Sequence, residues 1–166
     1  MNKTNSFQDQ ITILIVLYKE KYEMVSNCLK NIKNFKVIII DNANDINLKK
    51  RISKEFKIYK YILNKKNIGF ASAAFSGVNQ CNTSHMLFLN ADCQLTENNI
   101  FLLFEAKNKY PNCFIAAPTL YDNNNKLTYN GGPLSENGEK TKPLALEGDV
   151  CVESVITTAI LFNVIE

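Results

Sequence analysis

The sequence contains two mainly aliphatic runs in which polar and apolar side chains hardly alternate, Ile11–Tyr18 and Lys36–Asp41. Uninterrupted runs of this length are typical of strands that are covered on both faces, as in a parallel sheet. The segment Glu20–Lys33 between them carries apolar residues at the spacing of one helix face. These are Tyr22, Val25, Leu29 and Ile32. The order strand, helix, strand predicts a βαβ unit with a right-handed crossover.

The same alternation continues to residue 120. The predicted elements are a helix at Asn47–Phe56, a strand at Ile58–Leu63, a helix at Phe70–Asn79, a strand at Met86–Asn90, a helix from the N-cap Thr96 to Lys109 and a strand at Cys113–Leu120. In the helix at Phe70–Asn79 the apolar residues Ala71, Ala74, Phe75 and Val78 share one face. In the helix that ends at Lys109 we expect Ile100, Leu103 and Phe104 to point inward. The pattern predicts an α/β fold, with a mostly parallel Rossmann-like sheet and helices on both faces.

The character of the chain changes after Tyr121. Residues 122–125 (Asp-Asn-Asn-Asn) predict a hairpin turn, and the segment Asn130–Gly148 predicts a long loop. The apolar run Cys151–Ile165 predicts a strand, and the chain then stops at Glu166 as though inside a fold. We therefore divide the chain into a polar tail at 1–10, an α/β domain at 11–122, and the incomplete start of a second region at 123–166.

Composition narrows the class of protein. A chain of 166 residues with 46% hydrophobic and 21% charged residues fits one folded domain. The net charge of +3 is spread along the chain, which gives little support for a nucleic-acid partner. No apolar run is long enough to cross a bilayer and no signal peptide is recognisable, so we expect a cytoplasmic protein. The five cysteines form no metal or disulfide pattern and are interpreted as small core residues.

Ligands of open α/β sheets bind outside the carboxyl ends of the strands, so the residues that follow each apolar run are the candidate site. Asp41 and Asp92 both occupy such ends, where a carboxylate can accept hydrogen bonds from a base or ribose, or hold a cation. On spacing alone, a helix cap or turn residue is the more common interpretation of each. Gly69 lets a ligand approach the backbone or simply begins a helix. The glycine-rich phosphate-binding motifs GxGxxG and GxxxxGK[ST] are absent from the sequence.

Four ordered segments resemble the motifs of the nucleotide-sugar glycosyltransferases of family 2, and most closely their rhamnosyltransferase-like branch. The segments are Ile13–Glu20 for the first strand and turn, Ile38–Asn42 for the "VVDN" strand, Asn67–Ala71 for the "NxGFA" turn and Leu87–Asp92 for the "LLNPD" variant of the DxD motif. Pro118–Asp122 and the pair Gly131 and Gly132 are similar to the segments that follow. The resemblance covers residues 11 to 165 and implies the GT-A fold.

The resemblance also implies a role for each matching position. Asp41 would contact the nucleotide base, flanked by Tyr18 and Glu20, while Asn67 and Gly69 would shape the wall beside the ribose and diphosphate. The neighbouring Asn42, Phe70 and Asn90 complete the predicted nucleotide-sugar site. Asp92 would hold a divalent cation, Mg²⁺ or Mn²⁺, that bridges the diphosphate. Asn90 takes the first acidic position of DxD, which leaves one carboxylate in that turn.

The function implied is an inverting, metal-dependent glycosyltransferase that uses a dTDP- or UDP-sugar to build surface polysaccharide. Its acceptor would be a glycan or a lipid-linked glycan, reached from the cytoplasm with or without association with the inner face of the membrane. The family's catalytic base falls beyond Glu166, so this chain is expected to be catalytically incomplete. Two alternatives stay open. One is a non-catalytic nucleotide-binding or interaction module, and the other is a nucleotidyltransferase on a similar sheet.

Overall fold

A computed structural model of the chain describes residues 6–129, 131 and 158–164. Within these residues the strands are β1 (Ile11–Leu17), β2 (Lys36–Asp41), β3 (Lys60–Leu63), β4 (His85–Leu89), β5 (Ile115–Ala116), β6 (Leu120–Tyr121), β7 (Leu127–Tyr129) and β8 (Ala159–Asn163). The helices are α1 (Tyr22–Lys30), α2 (Ile46–Glu55), α3 (Phe70–Val78) and α4 (Glu97–Lys109), and a 3₁₀ helix at Phe7–Gln10 precedes β1. Six strands form one sheet in the order β3-β2-β1-β4-β8-β5, and β6 pairs with β7 in a separate ribbon.

The sheet is mostly parallel. Strand β1 lies between β2 and β4 and is parallel to both, and β2 is parallel to β3. Strand β8 inserts between β4 and β5 and runs antiparallel to each of them. The central βαβ pattern read from the sequence is therefore confirmed, with the carboxyl ends of β1, β2, β3 and β4 at one edge.

Helices cover both faces of the sheet, as predicted. Alternate residues of β1 point to opposite faces, so Ile13 and Ile15 pack with α1, α2 and α4, while Leu14 packs with α3. Both layers are shielded from solvent, because Ile13, Leu14 and Ile15 are all fully buried. Helix α4 begins as expected, since the hydroxyl oxygen of Thr96 accepts a hydrogen bond from the backbone N–H of Asn99.

The predicted apolar face of α3 is buried only in part, because Ala74 and Val78 are half-buried and pack against the core, whereas Ala71 is exposed. Phe75 is 68% exposed, and the residues of α3 that are buried are Ala73 and Gly77. The cause is a close approach of the helix to the sheet, since a Cβ atom at Gly77 would lie 2.4 Å from Cδ1 of Leu14. Only small residues fit between helix and strand at that distance, so the helix turns its large aromatic residue outward.

The predicted strand at Cys113–Leu120 is also wrong as one element. Ile115–Ala116 pairs in the main sheet and Leu120–Tyr121 pairs in the ribbon. Pro118 lies between them and has no N–H to donate to a ladder, which explains the interruption. The predicted turn at residues 122–125 is confirmed, because the Asp122 carboxylate accepts hydrogen bonds from the backbone N–H of Asn124 in the turn and from that of Lys126, which follows it.

Two further elements differ from the prediction by more than one residue at a boundary: α1 is shorter than Glu20–Lys33, and β3 begins at Lys60 rather than Ile58. The predicted loop at Asn130–Gly148, apart from Gly131, and the first half of the predicted strand Cys151–Ile165 lie outside the described residues. Of the described cysteines, Cys28 is buried and the others are half-buried free thiols. Within the part that the structure describes, no helix is long and apolar enough to cross a membrane.

Candidate functional site

One cleft lies at the carboxyl edge of the sheet and has a volume of about 390 Å³. It is built by the ends of β1 and β4, the residue after β2, and the turn before α3. All the predicted site residues except Asp41 line it, namely Tyr18, Glu20, Asn42, Asn67, Gly69, Phe70, Asn90 and Asp92. The parallel topology explains this convergence, because it brings the carboxyl ends of the strands to one edge.

The turn after β1 forms one wall of the cleft. Lys19 adopts a left-handed backbone conformation (φ 69°), and the Glu20 carboxylate accepts a hydrogen bond from the backbone N–H of Tyr18. This contact holds the tight turn together and leaves the Tyr18 ring 47% exposed beside the cleft. Glu20 therefore shapes this wall as well as lining it.

Met24 also lines this side of the cleft, and sequence reasoning missed it. It belongs to the first turn of α1 and is 42% exposed. The available signal was topological, because a helix that follows a strand of a parallel sheet begins at the ligand-binding edge. Its first turn was therefore a candidate wall of the site.

Asp41 does not line the cleft. Its side chain is fully buried, and its carboxylate accepts hydrogen bonds from the backbone N–H of Ala43 (2.7 Å), the backbone N–H of Asp45 (3.3 Å) and the hydroxyl of Tyr61 (3.2 Å). Burial, and then the neighbouring Asp41 carboxylate, raise the pKa of Tyr61 well above its ordinary value. The structure therefore places Asp41 as the anchor of the β2–α2 loop.

Asn42, the next residue, joins three parts of the cleft. Its backbone N–H donates to the carbonyl of Leu17 at 2.8 Å, and its side-chain oxygen accepts from the Asn64 amide at 2.8 Å. Its own side-chain NH₂ donates to the carbonyl of Gly69 at 3.3 Å. Asn42 is only 4% exposed, so it forms part of the cleft floor.

The turn before α3 forms the opposite wall. Gly69 has a positive φ of 81°, a conformation that favours glycine, and its N–H donates to the side-chain oxygen of Asn67 at 2.8 Å. The Phe70 ring packs edge-on against Phe88, with ring centroids 4.9 Å apart. This aromatic contact fixes the first residue of α3 against the sheet.

The turn after β4 carries the free carboxylate of the cleft. The backbone N–H of Asn90 donates to the carbonyl of Thr158 at 2.9 Å, which attaches this turn to the segment before β8. Asp92 is exposed and makes no hydrogen bond or ion pair within the described residues. Burial, and then the Asp92 charge, raise the pKa of Cys93 to about 11.

The described residues of the cleft offer few protein ligands for a divalent cation. The described residues contain no group of three or more His, Cys, Asp and Glu side chains arranged to hold a metal ion. Asp92 supplies one unengaged carboxylate at the cleft, and the side chain of Asn90 lines the same cleft. Such a donor set fits Mg²⁺, which commonly takes one or two carboxylates together with the phosphate oxygens of a substrate.

A mostly parallel α/β sheet with a polar cleft at its carboxyl edge is the architecture of nucleotide-binding α/β proteins. The family model described as glycosyl transferase family 2 matches residues 12–166. The chain belongs to this family. No curated protein matches the chain.

Two solved structures are similar to this chain. A mannosyltransferase, PcManGT from Pyrobaculum calidifontis in complex with GDP-Man and Mn²⁺, is similar at 13% identity with a TM-score of 0.56, over 68% of this chain and 36% of that one. TarS from S. aureus is similar at 14% identity with a TM-score of 0.49, over 60% of this chain and 20% of that one. The chain thus spans much less than two thirds of the length of either protein. Together with the family, the first likeness identifies the GT-A fold.

Proposed function

We propose that this protein transfers a sugar from a nucleoside-diphosphate sugar to a hydroxyl group of a glycan acceptor. The observation that carries the proposal is the cleft, which gathers polar side chains from four separate stretches of a family 2 glycosyltransferase chain. Its volume of about 390 Å³ lies in the usual range for small-molecule sites. Its position at the carboxyl edge of the sheet is where this class of fold binds nucleotides.

The donor would lie between the two walls of the cleft. As the family resemblance implies, Tyr18 and Glu20 would flank the base from the wall that is joined to β1. Asn67 and Gly69 would lie beside the ribose and diphosphate on the opposite wall. The contact between Asp41 and the base, which the family resemblance implies, stays a prediction. Because Asp41 is buried, substituting it tests directly whether its carboxylate contacts the base or only the protein.

Asp92 is proposed as the metal ligand. Its carboxylate is exposed in the cleft and has no described partner, so a cation would not have to displace an internal contact. When bound, Mg²⁺ or Mn²⁺ would neutralise the charge that develops on the departing diphosphate. The uncharged Asn90 would leave the cation dependent on the phosphate oxygens for most of its remaining ligands.

The proposed reaction inverts the anomeric centre. The acceptor oxygen bonds to the anomeric carbon as the bond from that carbon to the diphosphate breaks, and a base takes the hydroxyl proton. Of the described carboxylates, Glu20 and Asp92 line the cleft. Glu20 is held by the backbone of Tyr18 and Asp92 is assigned to the cation, so we assign the base role to neither. A base beyond Glu166 stays a prediction.

We extend the proposal to the biological setting. The resemblance to the rhamnosyltransferase-like branch favours a dTDP- or UDP-sugar, used to build surface polysaccharide on a glycan or lipid-linked acceptor. Residues 11–122 would bind the donor, and residues 123–166 would begin the acceptor side. The reaction would take place in the cytoplasm, where such donors are made, at or near the inner face of the membrane.

The experiment is a calorimetric titration of the protein with UDP, dTDP and GDP, each with and without Mn²⁺. We expect one of these nucleotides to bind with an affinity that Mn²⁺ raises, and Asp92→Asn to remove most of that increase. A lost charged contact of about 1.5–3 kcal/mol corresponds to a roughly ten- to hundredfold weaker affinity. Glu105→Gln is the matched control, because it removes one exposed negative charge from α4, away from the cleft-lining residues.

An unchanged effect of Mn²⁺ in Asp92→Asn would contradict the metal assignment, and no binding of any nucleotide would contradict the donor site.

Asn90 favours one second candidate, a nucleotide-binding module without catalysis, since it removes a carboxylate from the DxD position. Release of nucleoside diphosphate that depends on acceptor separates the two functions. Nucleotide binding without any turnover over a broad panel of donors and acceptors would favour the module.

A further inference from the structure

The loop between β3 and α3, residues 64–69, is attached at both of its ends to one side chain. At its start, the side-chain NH₂ of Asn64 donates to the side-chain oxygen of Asn42 at 2.8 Å. At its end, the carbonyl of Gly69 accepts from the side-chain NH₂ of the same Asn42 at 3.3 Å. Both ends of the loop are therefore hydrogen-bonded to Asn42. The backbone N–H of Asn42 is in turn hydrogen-bonded to the carbonyl of Leu17 in β1.

These hydrogen bonds link the two walls of the cleft through Asn42. Asn67 and Gly69 belong to the loop and Phe70 follows it, and all three line the cleft. The residues of the loop from Lys65 onward are exposed, so packing gives them little support. Gly69 has no atom within 4 Å of the place where a Cβ would be, so no side chain restrains its backbone. The hydrogen bonds of Asn42 and Asn67 therefore restrain this wall, together with the packing of Phe70 on Phe88 and the bond from the Ala73 N–H to the Gly69 carbonyl.

The two bonds of Asn42 depend on the direction of its amide. Its oxygen must face Asn64 and its NH₂ must face the carbonyl of Gly69, since a carbonyl oxygen only accepts hydrogen bonds. A donor at residue 64 therefore selects the orientation in which the second bond is made. If the amide of Asn42 turned over, two oxygen atoms would face each other at Gly69.

We propose that Asn64 is a positioning residue of the donor site, which acts through Asn42 to hold the wall formed by Asn67 and Gly69. Asn64 does not line the cleft, so it would act without touching the nucleotide. Its backbone N–H also donates to the carbonyl of Asp41 at 2.9 Å, which keeps its side chain beside Asn42. The inference rests on the proposed donor site, because it predicts an effect on nucleotide affinity.

Two substitutions test the role of Asn64. Asn64→Ala deletes the side-chain NH₂ that donates to Asn42. Asn64→Asp keeps the shape of the side chain but places an oxygen atom opposite the Asn42 oxygen, where no hydrogen bond can form. The probe is the nucleotide among UDP, dTDP and GDP that the unchanged protein binds with Mn²⁺, titrated at a temperature where every variant is folded. We expect affinity to fall roughly three- to tenfold in Asn64→Ala and further in Asn64→Asp. Asn27→Asp is the matched control, because Asn27 is exposed on α1.

A double-mutant cycle separates positioning from a general loss of stability. If Asn64 acts through Asn42, the variant Asn42→Ala should lose affinity by itself, and adding Asn64→Ala should then weaken binding by less than twofold. Melting temperatures are recorded for each variant, and the affinity loss should persist in fully folded protein. A purely structural role would lower the melting temperature and leave the affinity of the folded protein unchanged.

The failure of this inference differs from the failure of the proposed function. If the unchanged protein binds a nucleotide and Asn64→Ala and Asn64→Asp bind it equally well, the positioning role is overturned and the donor site stands. If losses in the Asn42 and Asn64 variants multiply independently, the coupling through Asn42 is overturned. If the unchanged protein binds none of the nucleotides, the proposed donor site fails, and the positioning role fails with it.

Discussion

Removing the charge of Asp41 should destabilise the fold. Its Oδ1 atom accepts one hydrogen bond and its Oδ2 atom accepts two, all from groups of the protein itself, and the side chain is fully buried. Asp41→Asn keeps the shape but has one acceptor oxygen, so its NH₂ group must face at least one former donor. We expect a loss of about 2–4 kcal/mol in the free energy of unfolding, since charged hydrogen bonds contribute about 1.5–3 kcal/mol and an orphaned buried donor adds a penalty.

Urea unfolding followed by circular dichroism measures this loss, and thermal melting should show a fall of roughly 5–15 °C for a chain of this size. Asp92→Asn is the matched control, because Asp92 is an exposed carboxylate at the same edge with no described partner. The two variants should give opposite results. Asp41→Asn should lose stability, and Asp92→Asn should keep stability while losing the effect of Mn²⁺ on nucleotide affinity.

A urea midpoint for Asp41→Asn equal to that of the unchanged protein would refute the anchoring role. If that variant also bound nucleotide ten- to a hundredfold more weakly, the contact between Asp41 and the base would be supported instead, as the family resemblance implies. Such a result would mean that the carboxylate exchanges its internal partners for the base when nucleotide binds.

Gly77→Ala should destabilise the fold by about 1–3 kcal/mol, since its Cβ would lie 2.4 Å from the Leu14 side chain, and Leu14→Ala should reduce that added cost in urea unfolding. Burial raises the pKa of Cys28 to about 12 and that of Cys93 to about 11, so both should react with iodoacetamide much more slowly than an unfolded thiol at about pH 8. Mass spectrometry of the labelled protein measures this, and rates equal to those of the unfolded chain would contradict the burial. Because the pKa of Tyr61 is raised in the folded protein, the unfolded state loses this proton first, and stability should fall as the pH rises above 10. In thermal melts, Tyr61→Phe should make the fall of the melting temperature with pH less steep. An equal slope in both proteins would contradict the role of Tyr61.

The sheet and the place of the cleft were predictable because they depend on local patterns. Uninterrupted aliphatic runs such as Ile11–Leu17 are stable only when covered on both faces, and the helices between them imply parallel strands. Parallel strands place their following residues at one edge, so residues far apart in sequence, such as Tyr18 and Asp92, were expected to meet. No contact between side chains had to be known for this step.

The internal partners of the site residues were not predictable in the same way. Asp41 receives a hydrogen bond from Tyr61 on the neighbouring strand, and Asn42 is held by Asn64 beyond that strand. Both contacts depend on the register between β2 and β3, which the sequence pattern leaves open. The outward position of Phe75 had a similar cause, since hydropathy favoured burial of the ring while the close approach at Gly77 decided the orientation of α3.

Three acidic residues at the carboxyl edge, Glu20, Asp41 and Asp92, are engaged in different ways, and this predicts how cation and nucleotide bind. The carboxylates of Glu20 and Asp41 accept hydrogen bonds from the protein itself, so Asp92 is the one that the described contacts leave open to a cation. One carboxylate is a weak ligand set for Mn²⁺, and the diphosphate must supply further oxygen atoms. We expect Mn²⁺ alone to bind weakly, and each ligand to raise the affinity of the other by the same factor, as linkage requires. Titrations of Mn²⁺ with and without nucleotide, and of nucleotide with and without Mn²⁺, measure both factors. Tight binding of Mn²⁺ to the free protein would show that the cation has protein ligands other than Asp92.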